Sequence, residues 1–209
     1  MYQSKDKIYG IIAIIFYCIL FGGLILSGLL YQKGFAFAMN IIYCSLFAVG
    51  VLIVLIKDRS IYNLGFGKEK LRTNIIISLI IIVITFIVIW IFGNLAFSEL
   101  LAQALYYLFY IAAIEEILFR GLIQNYLFGF KLNKCVLFII GALLFSFIHI
   151  PFQMFVHENV SLSYLVQAMP NLIETFLFHF IFCFIAYKRK DITISIAVHY
   201  AYDFFGVIM

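Results

Sequence analysis

Charged side chains are scarce in this sequence. Only 11% of its 209 residues are Asp, Glu, Lys or Arg, whereas a soluble globular domain of ordinary composition has about 25%. Apolar residues make up 66% of the chain. Lipid must therefore surround most of the surface, which excludes an ordinary soluble enzyme and predicts an integral membrane protein.

Proline and paired cysteines are scarce as well. There are two prolines, so long helices can run without interruption. The four cysteines lie inside apolar segments, and none forms a C-x-x-C pair, which excludes the common zinc-ribbon and thioredoxin-like motifs. The sequence has no internal repeat and no polar linker, so we expect one integral membrane domain over residues 1–209.

Long apolar segments make up most of the sequence. A membrane span needs about 20 mostly apolar residues, and the fold class we predict is all-α, a polytopic transmembrane helix bundle of about seven spans. The predicted spans are Tyr9–Leu30, Phe35–Ile56, Ile75–Phe97, Leu100–Phe130, Val136–Ile150, Leu172–Tyr187 and Ile192–Met209.

Basic residues alternate between the loops. Twelve Lys and Arg residues fall in the N-terminal segment and the even-numbered loops, and only Lys33 falls in the others. The positive-inside rule places the twelve-charge side, with the N-terminus, in the cytoplasm. The net charge of +4 thus reflects topology, and we expect the lipid bilayer, not nucleic acid, as the partner of the basic residues.

The fourth predicted span carries Glu115, Glu116 and Arg120. Charge at membrane depth costs about 2.5–3.5 kcal/mol per group on insertion scales. Glu116 and Arg120 share one helix face, while Glu115 points about 100° away. One arginine cannot neutralise both carboxylates, so this pattern indicates a general base in addition to a structural ion pair.

Two further spans carry imidazoles. The fifth contains Phe145-Ser-Phe-Ile-His149, and the seventh contains His199-Tyr-Ala-Tyr-Asp203, in which His199 and Asp203 share a face. Taken singly, each is typical of a hydrogen-bonded core residue. Three helices that each bring ionisable groups are best accommodated around shared water, and this predicts a hydrolytic pocket. His157-Glu158 lies in a loop and is not an H-E-x-x-H zinc motif.

The ordered motifs Glu-Glu-x-x-x-Arg, Phe-x-x-x-His and His-x-x-x-Asp resemble those of the CAAX-protease and bacteriocin-processing (CPBP, or Abi) family of intramembrane proteases. They span Glu115 to Asp203, and a weaker resemblance includes Asn63-Leu-Gly-Phe66. The resemblance places the catalytic core at about residues 100–209. It implies an endopeptidase whose substrate is a membrane-associated peptide.

The resemblance also implies roles for individual residues. Glu115 would activate water with help from His149, and His199 with the Asp203 position would stabilise the oxyanion. Glu116, Arg120 and Phe145 would support the site. The family often has Asn where this chain has Asp203, and because an ionised carboxylate cannot donate a hydrogen bond, Asp203 must be protonated or must orient His199 instead.

Several alternatives remain open at this point. No metal is expected, but Glu115, His149, His199 and Asp203 could instead form a zinc site. A non-catalytic immunity or scaffold protein is a second alternative, and a transporter or proton relay is a third. The Ile-, Phe- and Lys-rich composition suggests a bacterial cytoplasmic membrane, where bacteriocin or signalling-peptide precursors are the expected substrates.

Overall fold

A computed structural model describes residues 2–3 and 5–207. Those residues form helices and loops, with no strand among them. The helices are α1 (Lys7–Gln32), α2 (Ala38–Asp58), α3 (Leu71–Phe92), α4 (Phe97–Phe130), α5 (Lys134–Phe147), α6 (Ile150–Val156), α7 (Leu162–Arg189) and α8 (Thr193–Phe205). The prediction of an all-α protein is confirmed.

Six of the described segments are long and apolar enough to cross a membrane. They are α1, α2, α3, α4, α5 with α6, and α7. Their outward side chains are those that lipid solvates: Ile56, Ile91 and Phe92 are each more than 60% exposed. The chain is therefore a multi-pass membrane protein. The orientation of the N-terminus in the cytoplasm stays a prediction.

The last predicted span differs from the others. It forms α8, which has 13 residues and is about 20 Å long at 1.5 Å per residue. That length is short of the roughly 30 Å of a hydrocarbon core. Residues 208 and 209 of the predicted span lie outside the described residues.

The helix α4 departs from regular α-helical winding. Tyr106–Ala113 and Ile117–Gln124 are π-helical, and between them Ile114–Glu116 form one short α-helical stretch. A π-helix has i→i+5 hydrogen bonds and occurs frequently at functional sites. The two acidic residues of the fourth predicted span thus sit between two wide helical turns.

The fifth predicted span ends differently from expectation. Pro151, which directly follows this span and was expected to close it, stands instead in the first turn of α6, where its missing N–H costs nothing. His149 lies in the turn between α5 and α6, and its backbone N–H donates to the Ser146 carbonyl at 3.2 Å. The sixth span starts before Leu172, as expected, since α7 begins at Leu162 and continues through Pro170.

The chain divides into two compact units. Of the described residues, unit A comprises those within 60–121 and 182–207, and unit B comprises those within 2–59 and 122–181. In unit A, α8 packs along α3. The apolar core of unit A includes Ile89, Leu100 and Phe204.

In unit B, α1 packs against α2, α6 and the last turns of α4. One buried carboxylate, Asp58 at the end of α2, accepts hydrogen bonds from Tyr9 at 2.7 Å and from Tyr126 at 3.1 Å. The ammonium of Lys5 lies 3.4 Å from the same carboxylate. Asp58 therefore ties the N-terminal segment, α1, α2 and α4 together, a role that the sequence pattern did not indicate.

Candidate active site

One cluster of ionisable side chains forms within unit A. The helix α4 contributes Glu115, Glu116 and Arg120, and α8 contributes His199 and Asp203. Glu116 and Arg120 pair within α4, with Arg120 Nη1 3.0 Å from Glu116 Oε1. The structure thus brings together five of the seven residues that the sequence singled out.

The imidazole of His199 lies at the centre of the cluster. Its Nδ1 is 2.9 Å from Glu116 Oε1. Its Nε2 is 3.3 Å from Asp203 Oδ2 and 3.8 Å from Glu115 Oε2. Each ring nitrogen therefore faces a carboxylate oxygen. Glu116 Oε1 lies 2.9 Å from His199 Nδ1 and 3.0 Å from Arg120 Nη1, so both side chains contact the same oxygen.

Burial separates the carboxylates into two kinds. The side chains of Glu116 and Arg120 are fully buried, whereas 16% of the Glu115 side chain and 21% of the Asp203 side chain are exposed. The accessible edge of the cluster thus carries Glu115 and Asp203, whereas the His199 side chain is only 7% exposed. A reacting group can approach this edge, and Glu116 and Arg120 lie behind it.

The geometry constrains where protons can be. An ionised carboxylate only accepts hydrogen bonds, so the contact to Glu116 places a hydrogen on His199 Nδ1. A neutral ring would then present an Nε2 lone pair to two carboxylates, which repel it. A proton must therefore lie on Nε2 or on one of the carboxylates that face it, and the cluster holds a transferable proton at its accessible edge.

An aromatic ring that the sequence analysis missed completes this cluster. Phe182 of α7 stacks on His199 with ring centroids 4.9 Å apart and planes inclined by 23°. The guanidinium carbon of Arg120 lies 5.0 Å from the centroid of the same ring, within reach of a cation–π interaction. No sequence signal distinguishes Phe182 from the other phenylalanines of α7.

The loop between α2 and α3 fixes the two helices that carry the cluster. Gly121, directly after Arg120, packs so closely on the backbone of Leu64 that a Cβ would overlap the Leu64 carbonyl oxygen. The Ile192 N–H, just before α8, donates to the Gly65 carbonyl at 3.0 Å. Gly65 has φ +107°, a conformation suited to glycine.

Asp191 adds a second tie between that loop and α8. Its buried carboxylate accepts from the Gly67 N–H at 2.7 Å and from the Thr193 N–H at 2.7 Å. The first of these holds the loop, and the second caps the start of α8. The Asn63-Leu-Gly-Phe66 segment, which resembled the family only weakly, thus begins a loop that positions the cluster.

The other two predicted site residues belong to unit B. Phe145 and His149 make an edge-on ring contact with centroids 5.1 Å apart. Phe145 also packs against His179 at 5.3 Å, and His179 Nε2 lies 3.0 Å from Gln124 Oε1 in the buried interior of the unit. The prediction that His149 shares a cavity with Glu115 stays a prediction.

Among the described residues, no group of three or more His, Cys, Asp or Glu side chains is arranged to hold a metal ion. Within unit A the His199 ring already directs one nitrogen to Glu116 and the other toward Asp203. A zinc ion would have to displace these contacts.

Comparison with known proteins gives one family. The family model described as type II CAAX prenyl endopeptidase Rce1-like matches residues 97–205, which is more than half of the chain. The chain belongs to this family. The match runs from the first residue of α4 to the last residue of α8, and it confirms the resemblance that the three motifs indicated.

Membership has a direct consequence for activity. The Rce1-like family consists of CAAX proteases, so this member is a hydrolase of peptide bonds, and its six apolar helices place it in a membrane. No curated protein and no solved structure matches the chain.

Proposed function

We propose that this Rce1-like protein is a glutamic-type intramembrane endopeptidase in which Glu115 activates the attacking water. One observation carries the proposal: His199 is held through Nδ1 by buried Glu116 while Nε2 faces the accessible carboxylates of Glu115 and Asp203. A carboxylate base beside a protonated donor is what amide hydrolysis needs.

The proposed reaction follows from these positions. Glu115 takes a proton from water, and the water oxygen bonds to the scissile carbonyl carbon. The Nε2–H of His199 donates to the oxyanion that develops, and Asp203 keeps that proton on Nε2. The C–N bond then breaks, and Glu115 returns its proton to the leaving amine. His149 assists the water, as the family resemblance implies.

The proposed substrate is a membrane-associated peptide or protein precursor. The composition suggests a bacterial cytoplasmic membrane, in which bacteriocin or signalling-peptide precursors are the expected class. No metal takes part in the proposed reaction. A non-catalytic immunity role remains the alternative, and the experiment below distinguishes it.

The test is cleavage of lipid-anchored peptides by the purified full-length protein, with products identified by mass spectrometry. Removal of a general base typically costs about 10²–10⁴-fold in rate, so Glu115→Gln and His149→Ala should abolish detectable cleavage. Glu99→Gln is the matched control because Glu99 is an exposed carboxylate on the same helix. Full cleavage by Glu115→Gln would overturn the proposal.

Two further measurements separate the alternatives. Cleavage that survives prolonged chelation supports the metal-independent mechanism, and loss of cleavage that zinc restores supports a metalloprotease. If Glu115→Gln still protects cells against the cognate peptide while wild-type protein cleaves nothing, the chain is an immunity protein.

A further inference from the structure

Unit B contains a polar cleft outside the carboxylate cluster. It has a volume of about 460 Å³, and its lining includes His149, Gln153, His157, Tyr164, Gln167 and Asn171. The volume is within the range of about 300–1,000 Å³ that ligand sites occupy. In a chain with 66% apolar residues, such a concentration of neutral polar side chains calls for a ligand of matching chemistry.

The residues that line the cleft form two rows, one along α6 and its flanking turns and the other along α7. His149, Gln153 and His157 recur every four residues, with His149 just before α6 and His157 just after it, so they lie on one side of this segment. Tyr164, Gln167 and Asn171 follow one another at spacings of three and four along α7, which also puts them on one face. The polar residues of this cleft thus form two opposed rows and not a scatter of surface groups.

The chemistry of the rows is that of the peptide bond itself. Gln153, Gln167 and Asn171 each carry a carboxamide, which offers an N–H donor and a carbonyl acceptor. None of the described residues that line the cleft is Asp, Glu, Lys or Arg. A cationic ligand would therefore find no carboxylate there, whereas an extended backbone would find donors and acceptors for its own amides.

The length of the cleft also fits a short peptide. Eight residues separate His149 from His157, which corresponds to about 12 Å along a helix. An extended chain rises about 3.3 Å per residue, so three or four residues of substrate would lie along the row. The two rows also touch each other, since His157 stacks on Tyr164 with ring centroids 5.7 Å apart.

We infer that this cleft is a subsite that binds the backbone of an extended segment of the peptide substrate. The inference rests on the proposed function, because His149, the proposed assistant in catalysis, stands at one end of the row. The carboxamides of Gln153, Gln167 and Asn171 form hydrogen bonds with the main-chain amides of the substrate. The cleft therefore accepts many side-chain sequences and selects for an accessible, extended backbone.

The test uses a defined probe and the full-length protein. The probe is a mixture of palmitoylated ten-residue peptides with four central positions randomised among Gly, Ala, Ser, Asn and Val and with a diazirine side chain beside them. The control probe is identical but has N-methyl groups on the four central amides. Full-length protein carrying Glu115→Gln is photolysed with each probe, and the adducts are mapped.

The expected result is adducts on the α6 and α7 rows with the first probe and a loss of at least about tenfold with the N-methylated probe. The double variant Gln167→Leu/Asn171→Leu, made in the active protein, should raise KM about tenfold with little change in kcat, because it removes two hydrogen-bonding groups. Val166→Leu is the matched control, since Val166 is 69% exposed on a different face of α7.

The outcomes separate this inference from the proposed function. Cleavage without adducts in the cleft, or adducts equally strong with both probes, overturns the subsite and leaves the protease intact. Adducts that depend on the backbone N–H without any cleavage support the subsite and overturn the catalytic proposal. An unchanged KM in the double variant also counts against the subsite.

Discussion

His199 Nδ1 and Glu116 Oε1 lie 2.9 Å apart, although 83 residues separate the two positions. The Glu116 side chain is fully buried, and the same oxygen lies 3.0 Å from Arg120 Nη1 in an ion pair. It fixes which face of the imidazole points to the accessible edge of the cluster. The Glu116–Arg120 pair is therefore a positioning device for His199 as well as an ion pair within α4.

The first prediction concerns Glu116. Glu116→Gln keeps an oxygen that can accept from His199 but loses the charge that holds Arg120, so we expect cleavage to fall by about tenfold or more. Glu116→Ala removes both contacts. Breaking a buried ion pair costs about 3–5 kcal/mol, so thermal unfolding in detergent should begin at a clearly lower temperature in the Ala variant than in the Gln variant.

Glu99→Ala provides the control for both Glu116 variants. Glu99 lies on the same helix but is exposed, so its loss should leave the unfolding temperature and the cleavage rate near those of the wild type. Equal unfolding temperatures for Glu116→Ala and Glu99→Ala would contradict the positioning role.

The second prediction concerns Asp203, where the family often has Asn. Because Asp203 Oδ2 lies 3.3 Å from His199 Nε2, an Asn side chain at this position can either accept from Nε2–H or donate to an unprotonated Nε2. We expect Asp203→Asn to keep cleavage within about tenfold of the wild type, and Asp203→Leu to lose about 10²-fold.

A different order of activities would assign Asp203 another role. If Asp203→Asn were as inactive as Asp203→Leu, the carboxylate itself would be needed, as a proton acceptor and not as a group that orients His199. Initial rates with the same lipid-anchored peptides distinguish the two outcomes.

Part of the cluster was predictable because its determinants are local. The spacing of four between Glu116 and Arg120, and between His199 and Asp203, puts each pair on one helix face whether or not the rest of the chain is known. The cost of charge in lipid then predicts that such faces turn inward. These two arguments account for the meeting of α4 and α8 in unit A.

Other features depend on contacts that no local pattern encodes. In the sequence, Asp58 is an ordinary acidic residue at a helix end. Its burial depends on contacts with distant residues, such as the hydrogen bond from Tyr126, 68 positions away. The π-helical turns of α4 were also unpredictable, because apolar residues carry no local pattern that distinguishes i→i+5 from i→i+4 hydrogen bonding. His149 and Phe145 were placed in one site with Glu115 by family resemblance, and that placement awaits experiment.

The third prediction tests the loop that positions the cluster. Gly121→Ala introduces a methyl group into the space of the Leu64 carbonyl, and the helix and the loop must separate to admit it. Overpacking of this kind costs about 1–3 kcal/mol. Because Gly121 follows Arg120 directly, we expect both a lower unfolding temperature and a loss of cleavage.

Gly22→Ala is the matched control for that substitution. Nothing lies within 4 Å of a Cβ at Gly22, and Ala is favoured over Gly in a helix interior by about 0.5–1 kcal/mol in water. The control should therefore leave the protein as stable as the wild type or slightly more so. Similar unfolding temperatures for Gly121→Ala and Gly22→Ala would show that the loop does not hold α4.

The last prediction concerns Asp58 and the N-terminal segment of unit B. Asp58→Leu leaves the hydroxyls of Tyr9 and Tyr126 and the ammonium of Lys5 without their shared acceptor. Each buried donor without a partner costs about 1–3 kcal/mol, so the variant should unfold at a much lower temperature than the wild type. Asp58→Asn retains one acceptor oxygen, so its unfolding temperature should lie between those of Asp58→Leu and the wild type. Asp6→Asn, at an exposed carboxylate, should leave the unfolding temperature unchanged.

The segment before α1 should also become sensitive to proteolysis in Asp58→Leu, because Lys5 then has no carboxylate to hold it. Wild-type resistance to protease in that variant would mean that the aromatic contacts of Tyr2, which stacks on Phe128 with centroids 5.4 Å apart, suffice to anchor the segment.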